Sequence, residues 1–188
     1  MLEIKDYIKC YENSVPDDLC QELINDKYLK DKLQQAVVVT KENEHAISDH
    51  RKCHDYYMHQ QDTYCNKYKS KIHKIINDIL IKYSSEFSMF GFGLSVEDTG
   101  YTFLLYKGSE KGEYKEHVDH LDLYPRLISI SLILNDDYNG GDFCFCNKNI
   151  IIKKKKGSAI VFPSNFCFPH AVSPVSNGDR YSIVTWVH

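Results

Sequence analysis

The stretch "RLISISLILN", residues Arg126 to Asn135, decides the fold class. Apolar and β-branched side chains crowd it, and it stops at "DDYNGG" (Asp136 to Gly141), a cluster of turn-forming residues. Such a run reads as a buried strand. "TGYTFLLYK" before it, and "GDFCFCN", "NIIIKK", "GSAIVFP", "HAVSPV" and "RYSIVTWV" after it, are also short, β-rich and punctuated by Gly, Asn, Pro or Asp. Many short strands with this spacing predict a sandwich, jelly roll or barrel.

The first half has a different period. "SVPDDLCQELINDKYLKDKL" (Ser14 to Leu33) offers Ser14 as a helix cap and Pro16 near the first turn. Leu19, Leu23, Ile24 and Tyr28 follow at helical spacing, which predicts a helix. Between Asp62 and Tyr83, Tyr68, Ile72, Ile75, Ile76, Ile79 and Leu80 form a second helical stripe. "QAVVVTK" (Gln35 to Lys41) is a short strand candidate, and "HAISDHRKCHDYY" (His45 to Tyr57) has no clean period and reads as loop. Helices first and strands second give an α+β class. The expected organisation is one domain over residues 1–188, with mainly helical support over 1–98 and a strand-rich core over 99–188.

A chain of 188 residues fills one domain, and 43% hydrophobic with 26% charged residues is ordinary for a globular protein. The formal net charge of -3 gives no bulk attraction to a polyanion, so general nucleic-acid binding is not expected. "MLEIKDYIKC" (Met1 to Cys10) is interrupted by charges and does not read as a secretory signal, and no stretch has the length of a membrane span. Seven scattered cysteines with no CxxC pair fit reduced thiols better than a disulfide framework, so a cytoplasmic setting without a membrane partner is expected. Lys153 to Lys156 read as a solvated hairpin end.

The chemistry concentrates in "YKEHVDHLD", Tyr114 to Asp122. If this segment begins a strand, His117 and Asp119 project from one face and supply two ligands for a divalent metal. A third must come from elsewhere, and His170 in "NFCFPHAVSPV" is the candidate. Two histidines and a carboxylate on one face of an octahedron suit non-haem iron(II). His120 and Asp122 fall on the other face or into a loop and are set aside. Arg180 follows His170 across the turn "SNGD", and a hairpin there would bring its guanidinium near the metal, where it could hold a dicarboxylic acid bidentately. Ser182, on the same face, adds a hydroxyl, and Trp186 borders the same pocket. Tyr114 reads either as a substrate contact or as rim packing, and "GSEKGEY" (Gly108 to Tyr114) as a mobile rim over an open mouth.

"YKGSEKGEYKEHVD", "RLISISLILNDDYNGGDFCF" and "KKKGSAIVFPSNFCFPHAVSPVSNGDRYSIVTWV" together resemble the catalytic core of the iron(II)- and 2-oxoglutarate-dependent oxygenases, in their prolyl 4-hydroxylase-like subgroup. The resemblance covers Tyr101 to His188. It implies a double-stranded β-helix, a jelly-roll or cupin-like barrel with iron at its open end. It matches His117, Asp119 and His170 to the metal ligands, Arg180 to the residue that binds the far carboxylate of 2-oxoglutarate, and Tyr106 to a tyrosine lining that pocket. Ile133 stands where some relatives carry a second tyrosine, which leaves Tyr106 and Ser182 as the hydroxyls able to assist Arg180. Collagen-type enzymes place a lysine where this chain has Arg180. The implied cofactors are iron(II), 2-oxoglutarate and dioxygen, with ascorbate as a candidate reductant. The implied reaction is hydroxylation of a prolyl or other residue in a peptide or protein. The alternatives are an oxygenase for a free amino acid, small molecule or nucleobase, a zinc hydrolase built on the same ligands, and a non-catalytic metal-binding barrel.

Overall fold

The structure is a computed structural model that describes residues 2–39, 45–87, 98–120 and 125–188. Asp122 lies outside them. In chain order the elements begin with β1 (Lys9–Tyr11), α1 (Asp17–Asn25), α2 (Lys27–Lys32), β2 (Gln34–Gln35), β3 (Val38–Val39), β4 (His45–Ala46), β5 (Arg51–Lys52) and β6 (His54–Tyr57). Helix α3 (Asn66–Glu86) follows, then β7 (Thr102–Tyr106), β8 (Glu113–His117), β9 (Ile128–Ile133), β10 (Asn139–Gly140), β11 (Phe143–Phe145) and β12 (Ile150–Ile152). The last four are β13 (Ala159–Pro163), β14 (His170–Val172), β15 (Val175–Ser176) and β16 (Arg180–Val187).

Seven strands form one sheet in the order β1-β13-β9-β16-β7-β6-β2, and five form a second in the order β12-β11-β14-β8-β5. Every pairing is antiparallel and the order is far from sequential, as a double-stranded β-helix requires. Strands β10 and β15 make a small ladder of their own, as do β3 and β4.

Alternation along the strands sorts side chains between two cores. On β9, Ile128, Ile130 and Leu132 face outward, while Ile133 joins the interior cluster with Leu104, Tyr106, Phe143, Phe145 and Phe162. The outward face of the larger sheet is covered by α3, whose Tyr68, Ile72, Ile76, Ile79, Leu80 and Tyr83 are all buried. Fully burying an aliphatic side chain of this size contributes about 1.5–3 kcal/mol, so this one helix is a major part of the fold's stability. The 3.6-residue stripe read from sequence is the face that meets the sheet.

Three readings of the first half need correction. The segment after Ser14 is two helices, broken at Asp26. Asp26 caps α2 by accepting from the Leu29 amide at 3.0 Å, and its other oxygen accepts from Tyr68 at 2.7 Å, Tyr64 at 2.8 Å and Lys67 at 3.3 Å. A short carboxylate with four donors stabilises the break more than continuing the helix would. Ser14 caps nothing; its hydroxyl donates to the Tyr11 carbonyl at 2.8 Å, and Pro16 holds the cap position of α1. The stretch read as loop contains β5 and β6, which join different sheets; strands this short show no period. In the lysine run, Lys154 folds back to donate to the carbonyls of Tyr138 and Gly140, while Lys155 and Lys156 pair with Glu12 and Asp17.

Burial alone would raise the Asp26 carboxyl, but the bonds from Tyr68, the Leu29 amide, Tyr64 and Lys67 outweigh it and hold the pKa at about 2. A carboxyl depressed on folding adds stability above its ordinary pKa and loses it as pH falls toward the folded value. Asp26→Ala is expected to cost about 2–4 kcal/mol in urea melts at neutral pH, from the lost cap and the stranded hydroxyls. Asp26→Asn, which can still cap, is expected to flatten the loss of stability between the ordinary aspartate pKa and pH 2.

Candidate active site

Strands β8 and β14 are neighbours in the smaller sheet, and their register places His117 directly opposite His170. Asp119 completes the group, and the candidate ligand atoms of all three residues lie within 4.8 Å of one another. Each imidazole is oriented through Nδ1, which donates to a backbone carbonyl: Lys115 for His117 at 2.8 Å and Phe168 for His170 at 3.1 Å. A carbonyl can only accept, so each ring carries a proton on Nδ1 and turns its Nε2 toward Asp119, at 3.5 Å from one carboxylate oxygen. Stacking fixes the rings further: Tyr114 lies on His117 with centroids 3.5 Å apart, and Phe143 lies nearly parallel to His170 at 5.3 Å.

The expectation that the histidine and aspartate begin a strand is corrected. Strand β8 ends at His117, and Asp119 stands beyond it, held by side chains rather than by sheet pairing. Ser129 of β9 donates to its carboxylate at 2.7 Å, and Arg126 donates to its backbone carbonyl at 3.2 Å. Burial would raise the Asp119 carboxyl, but His170 and His117 hold it well below the usual range, so it is ionised. Burial lowers the His170 pKa to about 4 in spite of Asp119, so this ring is neutral at physiological pH, as a metal ligand must be.

Arg180 occupies the other end of the interior. It pairs with Tyr106 in the ladder of β16 and β7, is 2% exposed, and donates from Nη1 to Ser182 at 2.8 Å. Its Nε has no partner, and no carboxylate among the described residues pairs with it. The supposed hairpin between the His170 and Arg180 strands does not form. Strand β14 belongs to the smaller sheet and β16 to the larger, and the turn before Arg180 leads from β15, which pairs with β10. Histidine and arginine therefore stand on opposite sheets of the sandwich.

"GSEKGEY" is corrected as well, because it turns at the Arg180 end rather than over the mouth. Gly108 donates to Asp179 at 2.9 Å, and Gly112 accepts from Val175 at 2.9 Å. A Cβ on Gly108 would lie 2.2 Å from the Gly178 carbonyl, so only glycine fits this closure.

Between the two ends lies a cavity of about 620 Å³, a size suited to a small organic ligand together with part of a larger one. His117, Asp119, His170, Tyr114, Tyr106 and Trp186 line it, while Arg180 and Ser182 stand behind the Tyr106 ring, which the guanidinium overlies at 5.0 Å. Among the cavity residues that escaped the sequence reading, three stand out for their contacts. Arg126 lies flat on Trp186 at 3.7 Å; Ser129 orients Asp119; and Arg51, between Asp55 at 2.9 Å and the Tyr114 ring at 5.2 Å, has a buried Nε with no partner. Alternation in "LISIS" could have flagged Ser129, whereas Arg51 sat in a stretch without a period. His120 turns away to the Arg126 carbonyl.

The residues present fit the two groups that the resemblance implies. Two Nε2 atoms and a carboxylate, all within 4.8 Å of one another, are a facial donor set for iron(II). A buried guanidinium without a counter-charge is the expected partner for the far end of a dicarboxylate.

Comparison with known proteins agrees. Residues 101–188 match the family model of the 2OG-Fe(II) oxygenase superfamily. A PKHD-type hydroxylase of Prochlorococcus marinus (strain NATL1A) is 38% identical over 80 residues, covering 39% of this chain and 35% of that protein. Another, from Psychrobacter sp. (strain PRwf-1), is 35% identical over 75 residues, covering 38% and 28%. Each match thus spans well under half of the relative. Among solved structures, a prolyl-4-hydroxylase from Pseudomonas putida superposes with a TM-score of 0.70 at 19% identity, covering 97% of this chain and 92% of that one. A prolyl hydroxylase from Trichoplax adhaerens, in complex with a hypoxia inducible factor oxygen degradation domain peptide fragment, gives 0.72 at 18%, covering 96% and 83%. A viral collagen prolyl hydroxylase from Paramecium Bursaria Chlorella virus-1, in complex with 2OG, gives 0.69 at 18%, covering 96% and 95%. Likeness at such identity is likeness of fold. Residues 101–188 are thus similar to the 2OG-Fe(II) oxygenase superfamily, and the chain as a whole has the fold seen in prolyl hydroxylases.

Proposed function

We propose that the protein is an iron(II)- and 2-oxoglutarate-dependent dioxygenase that hydroxylates a residue, proline foremost, in a peptide or protein. The observation that carries this reading is the convergence of His117, Asp119 and His170 at a cavity whose far end is backed by an unpaired, buried Arg180. A zinc hydrolase could use the three ligands but would have no use for the arginine.

In this reading His117, Asp119 and His170 hold the metal, and Ser129 and the two backbone carbonyls keep their ligand atoms aimed. Arg180, with Ser182 and Tyr106, holds the far carboxylate of the cosubstrate. Iron(II), 2-oxoglutarate and dioxygen together supply the oxidant, releasing succinate and carbon dioxide and placing one oxygen atom into a C–H bond of the second substrate. The chain's own contribution is to position and to exclude water: Leu104, Phe143, Phe162, Val172 and Val184 line the cavity with apolar surface. Tyr114 and Trp186 offer flat walls to a saturated ring. Support for a peptide substrate comes from the prolyl-hydroxylase neighbours, one of them bound to a peptide. The net charge of -3 adds that no polyanion is favoured. Seven free cysteines support a cytoplasmic setting, and no helix among the described residues is long and apolar enough to cross a membrane.

His170→Ala is expected to lower iron affinity about 100-fold or more, since loss of even a supporting partner costs 10–100-fold. Metal content after gel filtration reads this directly, and stoichiometric iron in the variant would remove His170 from the site. Arg180→Gln should leave iron bound but weaken 2-oxoglutarate about 10- to 150-fold, the worth of a hydrogen bond to a charged group. For the substrate, peptide libraries and cell lysate incubated with iron(II), 2-oxoglutarate and ascorbate should yield a peptide that gains one oxygen atom by mass spectrometry. Succinate release stimulated only by free amino acids or nucleobases would turn the reading toward a small-molecule oxygenase.

A further inference from the structure

Tyr114 and His117 are three positions apart on β8, a spacing that in a regular strand sends two side chains to opposite faces. Here the strand is irregular. Against β14, His117 pairs with His170 but Tyr114 pairs with Val172, so β8 takes three steps where β14 takes two. The extra residue acts as a β-bulge, which re-aims a side chain, and it brings Tyr114 round to the face of His117. The two rings stack, with centroids 3.5 Å apart and planes 15° from parallel.

The other edge of β8 is paired by β5, where Arg51 stands directly opposite Tyr114. Its guanidinium lies 5.2 Å from the Tyr114 ring centroid. Two contacts hold it there: a salt bridge to Asp55 at 2.9 Å and a hydrogen bond donated to the Val37 carbonyl at 3.0 Å. The arginine side chain is 16% exposed, so little water weakens its attraction to the ring. His50 meets the same ring edge-on at 5.9 Å, and its carbonyl accepts from the Lys115 amide at 2.9 Å. Neither Arg51 nor Tyr114 belongs to the trio of ligand candidates, yet both bear on its first member. The bond from Nδ1 to the Lys115 carbonyl anchors the imidazole at one atom, and a flat ring against its face fixes its plane as well.

The geometry points to Arg51 and Tyr114 as positioning residues for His117: the pinned guanidinium steadies the phenol ring, and the ring holds the imidazole with Nε2 toward the metal position. The inference rests on the oxygenase reading above. It adds to that reading a ligand supported through a stacked ring as well as through a hydrogen bond. It also gives Tyr114 a part in metal binding that is independent of any contact with substrate.

The test is anaerobic iron(II) affinity by competition with a chelator, read beside the visible absorption of the cobalt(II)-substituted protein. Tyr114→Leu is expected to weaken iron(II) about 10- to 100-fold, the usual cost of removing a partner that orients a metal ligand, and to change the cobalt(II) band. Tyr114→Phe keeps the stacked ring and should bind iron(II) as the wild type does. Arg51→Met, which keeps the length of the side chain without its charge, should weaken iron(II) in the same direction. The double variant with Tyr114→Leu should be no weaker than Tyr114→Leu alone, because the arginine acts through the ring. Wild-type iron affinity and an unchanged cobalt(II) band in Tyr114→Leu, even with a lower melting temperature, would make the stack structural only and overturn the assignment while leaving the oxygenase reading standing. Losses that add in the double variant would remove Arg51 from this role. Should Tyr114→Leu fail to fold, Arg51→Met decides alone, with unchanged iron affinity overturning the assignment. A wild type that binds no iron(II) would instead reject the oxygenase reading itself.

Discussion

Each strand of a two-sheet sandwich sends alternate side chains into one shared interior, and this rule decides where every candidate site residue can stand. On β16 it carries Arg180, Ser182, Val184 and Trp186 inward, while Ile183 and Val187 meet the helices outside. On β9 it carries Ser129 and Ser131 to the cavity between Ile128, Ile130 and Leu132. A register slip of one residue on either strand would exchange these faces, burying Ile183 in the cavity and driving Arg180 under α3. The stability of the helix–sheet core and the composition of the site are therefore set by the same alternation.

Within that interior the charges are separated along its length. Asp119 is compensated at one end by two imidazoles and the Ser129 hydroxyl. Arg180, at the other, has one serine and aromatic faces for company and no carboxylate among the described residues. An uncompensated charge in such a place is costly, whereas a site that will receive an anion needs one. The contrast between the two ends gives the cavity a direction, with His117, Asp119 and His170 near one extremity and Arg180 behind the other.

Much of this was legible in the residues. The strand-rich second half, the helical stripe from Tyr68 to Leu80 and the trio of His117, Asp119 and His170 follow from period and spacing, because long-range pairing only reinforces what those segments prefer locally. The break at Asp26 was not legible, since its cause is two tyrosines and a lysine about forty positions away. Strands of two residues, such as β5, carry no period, which concealed Arg51. The hairpin imagined between His170 and Arg180 failed for a topological reason: an apparent turn in sequence connects strands of different ladders, and only the sheet order reveals it.

The central claim is that one interior binds iron(II) through the trio and 2-oxoglutarate through the arginine at the same time. Anaerobic titration of 2-oxoglutarate into iron(II)-loaded protein, followed by visible absorption, tests it most directly. The account predicts a charge-transfer band that saturates at one cosubstrate per chain and is absent without iron or with zinc in its place. Iron bound at full occupancy with no band, and no 2-oxoglutarate retained, would contradict it.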